Sequence, residues 1–321
     1  MRILFAAFLA LLLGSPVHAA DACPPRAGAA PALTRMQDVM TTGRFVAYHP
    51  TALKVFDGNL TRTDEASIEE DLKVLRPWFD SLITYGALAG AERIPDVAAK
   101  LGFRAVIIGV WDPSNNEELR NALAAAKRNP ALVVGLSLGN EIVFGKRGNW
   151  LVLEETLKSV RARAPSLPLA LSEPFAQFLD DPAAKPALAE TDFMLVNIHP
   201  IFEKWFATAP AFNWADFVVQ IANRLEASYC RPIVVKETGV PTGPVSAGFD
   251  EKKQASFYAE LRRQLPPTRD RAFGWFTAFD APWRVHDFNP VAGRHPEEAY
   301  WGLFTDARMP KPVMSELPHL P

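Results

Sequence analysis

Short β-rich apolar runs alternate along the chain with segments of helical spacing. The runs cover residues 45–48, 81–85, 105–110, 133–138, 167–171, 193–198, 233–236 and 273–279. Several, 105–110 and 233–235 among them, are apolar at every position instead of every second one, the pattern of parallel strands covered on both faces. Helical spacing fits 67–75, 91–101, 151–162 and 250–265. Ser114, three residues ahead of Glu117, predicts a capped helix to about Lys127, and Asn213 predicts the cap of a helix over 214–228. Eight strand and helix units within roughly 270 residues point to a parallel α/β fold, and that number favours a closed (β/α)8 TIM barrel in a single domain.

The two ends read differently. Arg2, the apolar run 3–13 and the small residues Ala19 and Ala20 have the layout of a secretory signal, too short to span a bilayer. Residues 1–20 are therefore expected to be a signal peptide, 21–43 a spacer rich in Ala and Pro, 44–312 the catalytic barrel and 313–321 an extended tail. The product is expected to be exported to the periplasm or the medium, with no stable membrane insertion. Cys23 and Cys230 are the only cysteines. An oxidising compartment permits a bridge between them, although sequence leaves the pairing open, and two cysteines are too few for a thiolate zinc site.

Composition narrows the function. The 321 residues carry 34 Lys and Arg against 36 Asp and Glu, a formal charge of -2, so the basic footprint of a nucleic-acid or anionic-lipid binder is missing. The 8 Trp and 21 Phe supply flat apolar surfaces, and no motif calls for a metal or cofactor.

In a barrel, functional groups collect where strands end. The fourth run ends in Gly139-Asn140-Glu141 and the seventh in Lys236-Glu237-Thr238-Gly239. A carboxylate at the end of a buried strand is costly unless paired or used. Two of them suit glycosidic bond cleavage, where one carboxyl protonates the leaving oxygen and the other attacks the anomeric carbon. Asn140 can grip a sugar 2-hydroxyl. Strand alternation is expected to send Lys236 to the opposite side from Glu237. Tyr48, His49, Tyr85, Trp111, Asp112, Asn197, His199, Trp275, Phe279 and Trp283 fall at or after other strand ends, and Trp301 beyond them, as candidate sugar-stacking and hydroxyl-binding groups. A competing motif, Gly135-Leu136-Ser137-Leu138-Gly139 with His286 downstream, matches a serine esterase elbow; Ser137, however, lies inside an apolar run instead of on a turn. A sugar-binding barrel without turnover is the other rival.

These residues resemble glycoside hydrolase family 17, the β-1,3-glucanase and β-1,3-glucan transglucosylase family, in its bacterial and fungal branch. The resemblance is carried in order by Thr84-Tyr85-Gly86, residues 94–98, Gly102-Phe103, residues 132–135 leading to Gly139-Asn140-Glu141, residues 196–200, residues 236–239, Phe279-Asp280 with Pro282-Trp283, and residues 301–304. It implies a retaining double displacement on β-1,3-glucan oligosaccharide or polysaccharide, with Glu141 as acid/base and Glu237 as nucleophile; a monomer is expected, although the sequence does not report the oligomeric state. It also implies a glycone side lined by Tyr85, Asn140, Asn197 and Trp283, with Asp280 orienting a hydroxyl or a neighbour. Ala281, Arg284 and Val240 depart from the family pattern, which puts subsite preference in question more than the chemistry.

Overall fold

The computed structural model describes residues 23–56, 59–286, 288–289 and 293–320, the side chains of 286, 288, 289, 293 and 316 excepted. The expected signal peptide and the His286 side chain lie outside them. Nine strand segments form one sheet in which all neighbouring pairs are parallel. We number them by barrel position: β1 Phe45–Tyr48, β2 Ser81–Thr84, β3 Ala105–Val110, β4 Val133–Leu138, β5 in two pieces, Leu169–Ala170 and Ser172–Pro174, β6 Met194–Asn197, β7 Ile233–Glu237 and β8 Arg271–Trp275. The first piece of β5 pairs with β4 and the second with β6, while β1 pairs with both β2 and β8, so the ring closes through Leu171.

The helices are α1 Ala30–Thr42, α2 Glu65–Leu75, α3 Ile94–Lys100, α4 Asn116–Arg128, α5 Trp150–Arg163, α6 Phe175–Leu179, α7 Ala184–Glu190, α8 Ala211–Ser228 and α9 Glu251–Gln264. Their starts refine the capping expectations. Asn115, not Ser114, caps α4 by accepting from the N–H groups of Glu117 and Glu118, while Ser114 turns back to Asp112. Asn213 lies inside α8, which begins after Pro210, whose fixed φ suits an entering chain.

Strand alternation divides the apolar residues into two layers. Val46, Leu82, Val106 and Val235 point out against the helices, whereas Phe45, Ile83, Ile107, Val134, Leu195, Val234 and Ala272 fill the barrel. Gly135 makes room there, since a Cβ on it would come within 2.5 Å of the Phe193 ring.

The segment expected as a spacer is instead structural. Residues 30–42 form α1, whose Leu33, Met36, Val39 and Met40 are buried against the inward-facing strand residues. An Ala- and Pro-rich start hid an amphipathic helix whose Pro31 occupies an allowed first-turn position. Ahead of it, Arg26 donates to the carbonyls of Glu190 and Ala189, at 2.7 and 2.8 Å, and Cys23 is bonded to Cys230 with their Cα atoms 5.3 Å apart. The expected tail is docked too. Val313, Met314 and Leu317 are buried in and after a 3-10 turn at Pro312–Glu316 that packs on α9. Among the described residues, no helix is long and apolar enough to cross a membrane.

Candidate active site at the carboxyl end of the barrel

Glu141 reaches the barrel mouth through a sharp exit from β4. Gly139 has φ +88°, and a Cβ there would meet the Ile142 side chain at 2.4 Å, so only glycine makes this turn without displacing its neighbours. Glu141 follows with φ 54°, held by its own N–H donating to the Ser172 carbonyl at 2.8 Å. Beyond it, the Glu173 carboxylate accepts from the N–H groups of Val143 and Phe144, at 2.9 and 3.2 Å, and so braces the loop that carries Glu141. Burial pushes the Glu173 carboxyl up to about 7 against the opposing pull of these hydrogen bonds, and the Glu141 charge adds to the rise.

Glu237 arrives by a different device. Pairing of β7 with β6 runs Val235 to Val196 and then Glu237 to Asn197, leaving Lys236 as the extra residue of a bulge. Val234 faces the barrel interior, so regular alternation would place Lys236 inside and Glu237 outside. The bulge brings both inside. The Lys236 ammonium lies 2.9 Å from Glu237 Oε1, which corrects the expectation that the two side chains part. Lys236 also donates to Asn140 Oδ1 and to Ser172 Oγ, the latter at 2.8 Å, and sits 4.7 Å from the centre of the Tyr85 ring.

The surroundings of the two carboxyls consequently shift them in opposite directions. Burial raises Glu141 above the ordinary carboxylate range, the neighbouring Glu237 charge raises it further, and the hydrogen bond from Asn197 Nδ2, 2.9 Å, only partly offsets this. Burial alone would raise Glu237 as well, but the Lys236 ammonium and His199, whose Nε2 is 3.6 Å from Oε2, outweigh it and hold the group at about 2. A proton therefore resides on Glu141 in preference to Glu237. Around them the Tyr85 hydroxyl, Asn197 Oδ1 and His199 Nδ1 are buried without a hydrogen bond inside the protein. They are polar atoms beside the two carboxyls with hydrogen-bonding capacity left over, Asn197 Oδ1 as an acceptor.

A model of the BtgE/BtgC glycoside hydrolase domain matches residues 46–302. The chain belongs to this family. Glucan endo-1,3-β-glucosidase btgC of Aspergillus niger is 24% identical over 286 residues, 77% of this chain and 39% of that protein, so the chain spans well under half the relative's length. Among solved structures, a family 17 β-1,3-glucanosyltransferase from Rhizomucor miehei is similar with a TM-score of 0.66 at 21% identity, over 84% of this chain and 96% of that one. An endo-laminarinase from Formosa follows with 0.64 at 20% identity, over 83% and 84%. These likenesses share the TIM barrel.

In this BtgE/BtgC domain the other candidates separate by strand parity. Tyr48 is fully buried on the outer face of β1, where its hydroxyl donates to Asp71 of α2 at 2.9 Å; it does not line the mouth. The next residue, His49, takes that place, with both ring nitrogens buried without a hydrogen bond and the Trp283 ring 6.4 Å away. Burial, then the charge of Arg284, lowers its pKa and keeps the ring neutral. Phe279 is likewise buried, packed on Tyr48 and Phe304, and Trp275 stacks on Tyr258 in the outer layer. Asp280 is committed to Lys311 at 2.7 Å and to the N–H of Gly302 at 2.9 Å, so it orients neighbours instead of a substrate. Trp301 is buried beneath His199 and Phe276. Trp111 is 47% exposed, with the Arg147 guanidinium 5.0 Å from its ring centre. The loop bearing it is fastened by buried Glu118, which accepts from the N–H groups of Ala87, Trp111 and Asp112.

Ser137 sits inside β4, buried, its hydroxyl 3.4 Å from the Gly139 carbonyl, and no strand-to-helix turn exposes it. Among the described residues, no group of three His, Cys, Asp or Glu side chains forms a metal site. Sequence reading missed Ser172, Glu173, Glu118 and the side of Lys236. The buried pair Ser172-Glu173 directly after the apolar Leu169-Ala170-Leu171 repeats the strand-end rule that found Glu141 and Glu237.

Proposed function

We propose that this BtgE/BtgC domain is an exported, retaining glycosidase acting on β-1,3-linked glucan through a covalent glycosyl-enzyme, with transfer to a second sugar as an alternative to hydrolysis. The feature that carries the reading is a pair of buried carboxyls at one barrel mouth whose surroundings shift them in opposite directions, Glu141 up and Glu237 down. Glu141 gives its proton to the glycosidic oxygen as the C1–O bond breaks, and the ionised Glu237 forms the bond to C1. In the second half, water or a sugar hydroxyl attacks C1 while Glu141 takes its proton, and the electron pair of the C1–Oε bond returns to Glu237. The unpartnered polar atoms of Tyr85, Asn197 and His199 then meet sugar hydroxyls, and Trp283 and Trp111 offer ring faces. The substrate class is supported by relatives: the A. niger protein is named for endo-1,3-β-glucoside cleavage, and an active-site mutant of the R. miehei transferase holds laminaritriose.

The test is product analysis on laminari-oligosaccharides by NMR. Retention at C1 is expected at early times, and products longer than the substrate would indicate transfer. Inverted products, or full activity in both Glu141→Gln and Glu237→Gln, would overturn the proposal.

A further inference from the structure

Lys236 is anchored more firmly than a counter-ion needs to be. Its ammonium is buried and touches Asn140 Oδ1, Ser172 Oγ and the Tyr85 ring face besides Glu237. Ser172 also donates to Asn140 Oδ1 at 3.1 Å, so three side chains from β4, β5 and β7 form one rigid knot, with Tyr85 capping it from the loop after β2. We propose that Lys236 is a positioning residue whose main effect falls on the second half-reaction, where its fixed ammonium receives the carboxylate of Glu237 as it leaves C1. The inference rests on Glu237 being the nucleophile.

While the sugar is attached, Glu237 is a neutral ester and gives Lys236 no charge to pair with. A buried lysine with that single partner would be free to turn away. Here the Asn140 and Ser172 oxygens and the Tyr85 ring face hold it in place. When water attacks, its oxygen bonds to C1, its proton goes to Glu141, and the C1–Oε electron pair returns to a carboxylate already facing an N–H donor. A donor set in advance where charge develops accelerates that step. In the first half the same ammonium stabilises the attacking carboxylate and restrains it. The ionisable groups facing Glu237 are Lys236 on β7, His199 after β6, Glu141 after β4 and Tyr85 after β2. The charge of Arg284 reaches Tyr85, and that of Glu141 reaches Glu173.

The experiment compares Lys236→Met with wild type and with Lys236→Arg on an activated aryl β-laminaribioside. In Lys236→Met, kcat and KM are expected to fall together by ~10-fold or more. Quenched samples should contain a glycosyl adduct on Glu237, and the acid limb of kcat/KM should move up toward the ordinary carboxylate range. Lys236→Arg should recover part of kcat. A fall in kcat at unchanged KM with no adduct, or an unmoved acid limb, overturns the proposal. If Lys236→Met does not fold, Ser172→Ala removes one anchor and should shift the same readouts in the same direction; no shift overturns it. A 2-fluoro-sugar fluoride on wild type tests the nucleophile separately, since labelling away from Glu237 overturns the underlying assignment whatever the Lys236 variants do.

Discussion

The two mouths of the barrel are lined by the same eight strands and differ in almost everything else. At the amino end, the inward residues Phe45, Ile83, Ala105, Val234 and their neighbours form an apolar cluster with α1, while the buried Asp80 and Asp192, just ahead of β2 and β6, pair with Arg104 and Arg161. At the carboxyl end, a few residues further along the same strands, Tyr85, Asn140, Glu141, Asn197, Lys236 and Glu237 meet. The contrast separates two tasks. A dry, close-packed lower layer stabilises the ring and fixes its geometry, and an upper layer of buried polar groups uses that geometry at a cost in stability.

The comparison breaks most visibly at the upper mouth. Glu237→Gln and Glu141→Gln should each lower turnover of laminari-oligosaccharides by about 10²–10⁴-fold while leaving the thermal midpoint close to wild type. The pH profile sharpens the same point. The proposed mechanism requires Glu237 ionised and Glu141 protonated; with Glu237 held at about 2 and Glu141 raised, kcat/KM should fall on the alkaline side as Glu141 loses its proton, and on the acid side only near the Glu237 value. A profile falling on its acid side near the ordinary carboxylate range would contradict the Lys236 pairing.

The lower mouth should show the reverse behaviour. Cys230→Ser opens a bridge spanning 207 residues and should cost roughly 2–5 kcal/mol in denaturant titrations, with kcat unchanged wherever the protein is folded. Met36→Ala, at a fully buried position of α1, should cost about 2–5 kcal/mol in the same assay. Trp111→Ala should raise KM by several-fold, in line with about 0.5–1.5 kcal/mol for a ring contact, and leave kcat in place. The smallest effect belongs to Tyr48→Phe. Loss of its bond to Asp71 should cost about 1 kcal/mol of stability and leave KM unaltered, whereas a raised KM would return Tyr48 to the cleft.

The barrel was legible because buried parallel strands such as Ala105–Val110 are apolar at every position, and Val133–Leu138 at every position but Ser137. Strand ends were legible for the same reason: a glutamate directly after such a run stands out. Which way a side chain turns was not legible. Tyr48, Trp275 and Phe279 fall on outward positions and His49 on an inward one, a distinction of a single residue that composition near a strand end does not carry. Lys236 needed the bulge, which appears only when β7 is paired with β6. The fifth strand was expected over 167–171, but its polar half, Ser172–Pro174, had no apolar run to mark it. The α1 helix was hidden by the alanines and prolines that precede it.

The position of α1 in the chain has a consequence for the order of assembly. It is made before any barrel strand, yet the cluster that buries its apolar face draws most of its side chains from β2 to β8, and β1 just behind it awaits pairing with β8 about 230 residues later. The first helix among the described residues is therefore among the last to find its place. Until the ring closes, Leu33, Met36, Val39 and Met40 stay open to water or to a chaperone, and docking of this plug marks the end of folding.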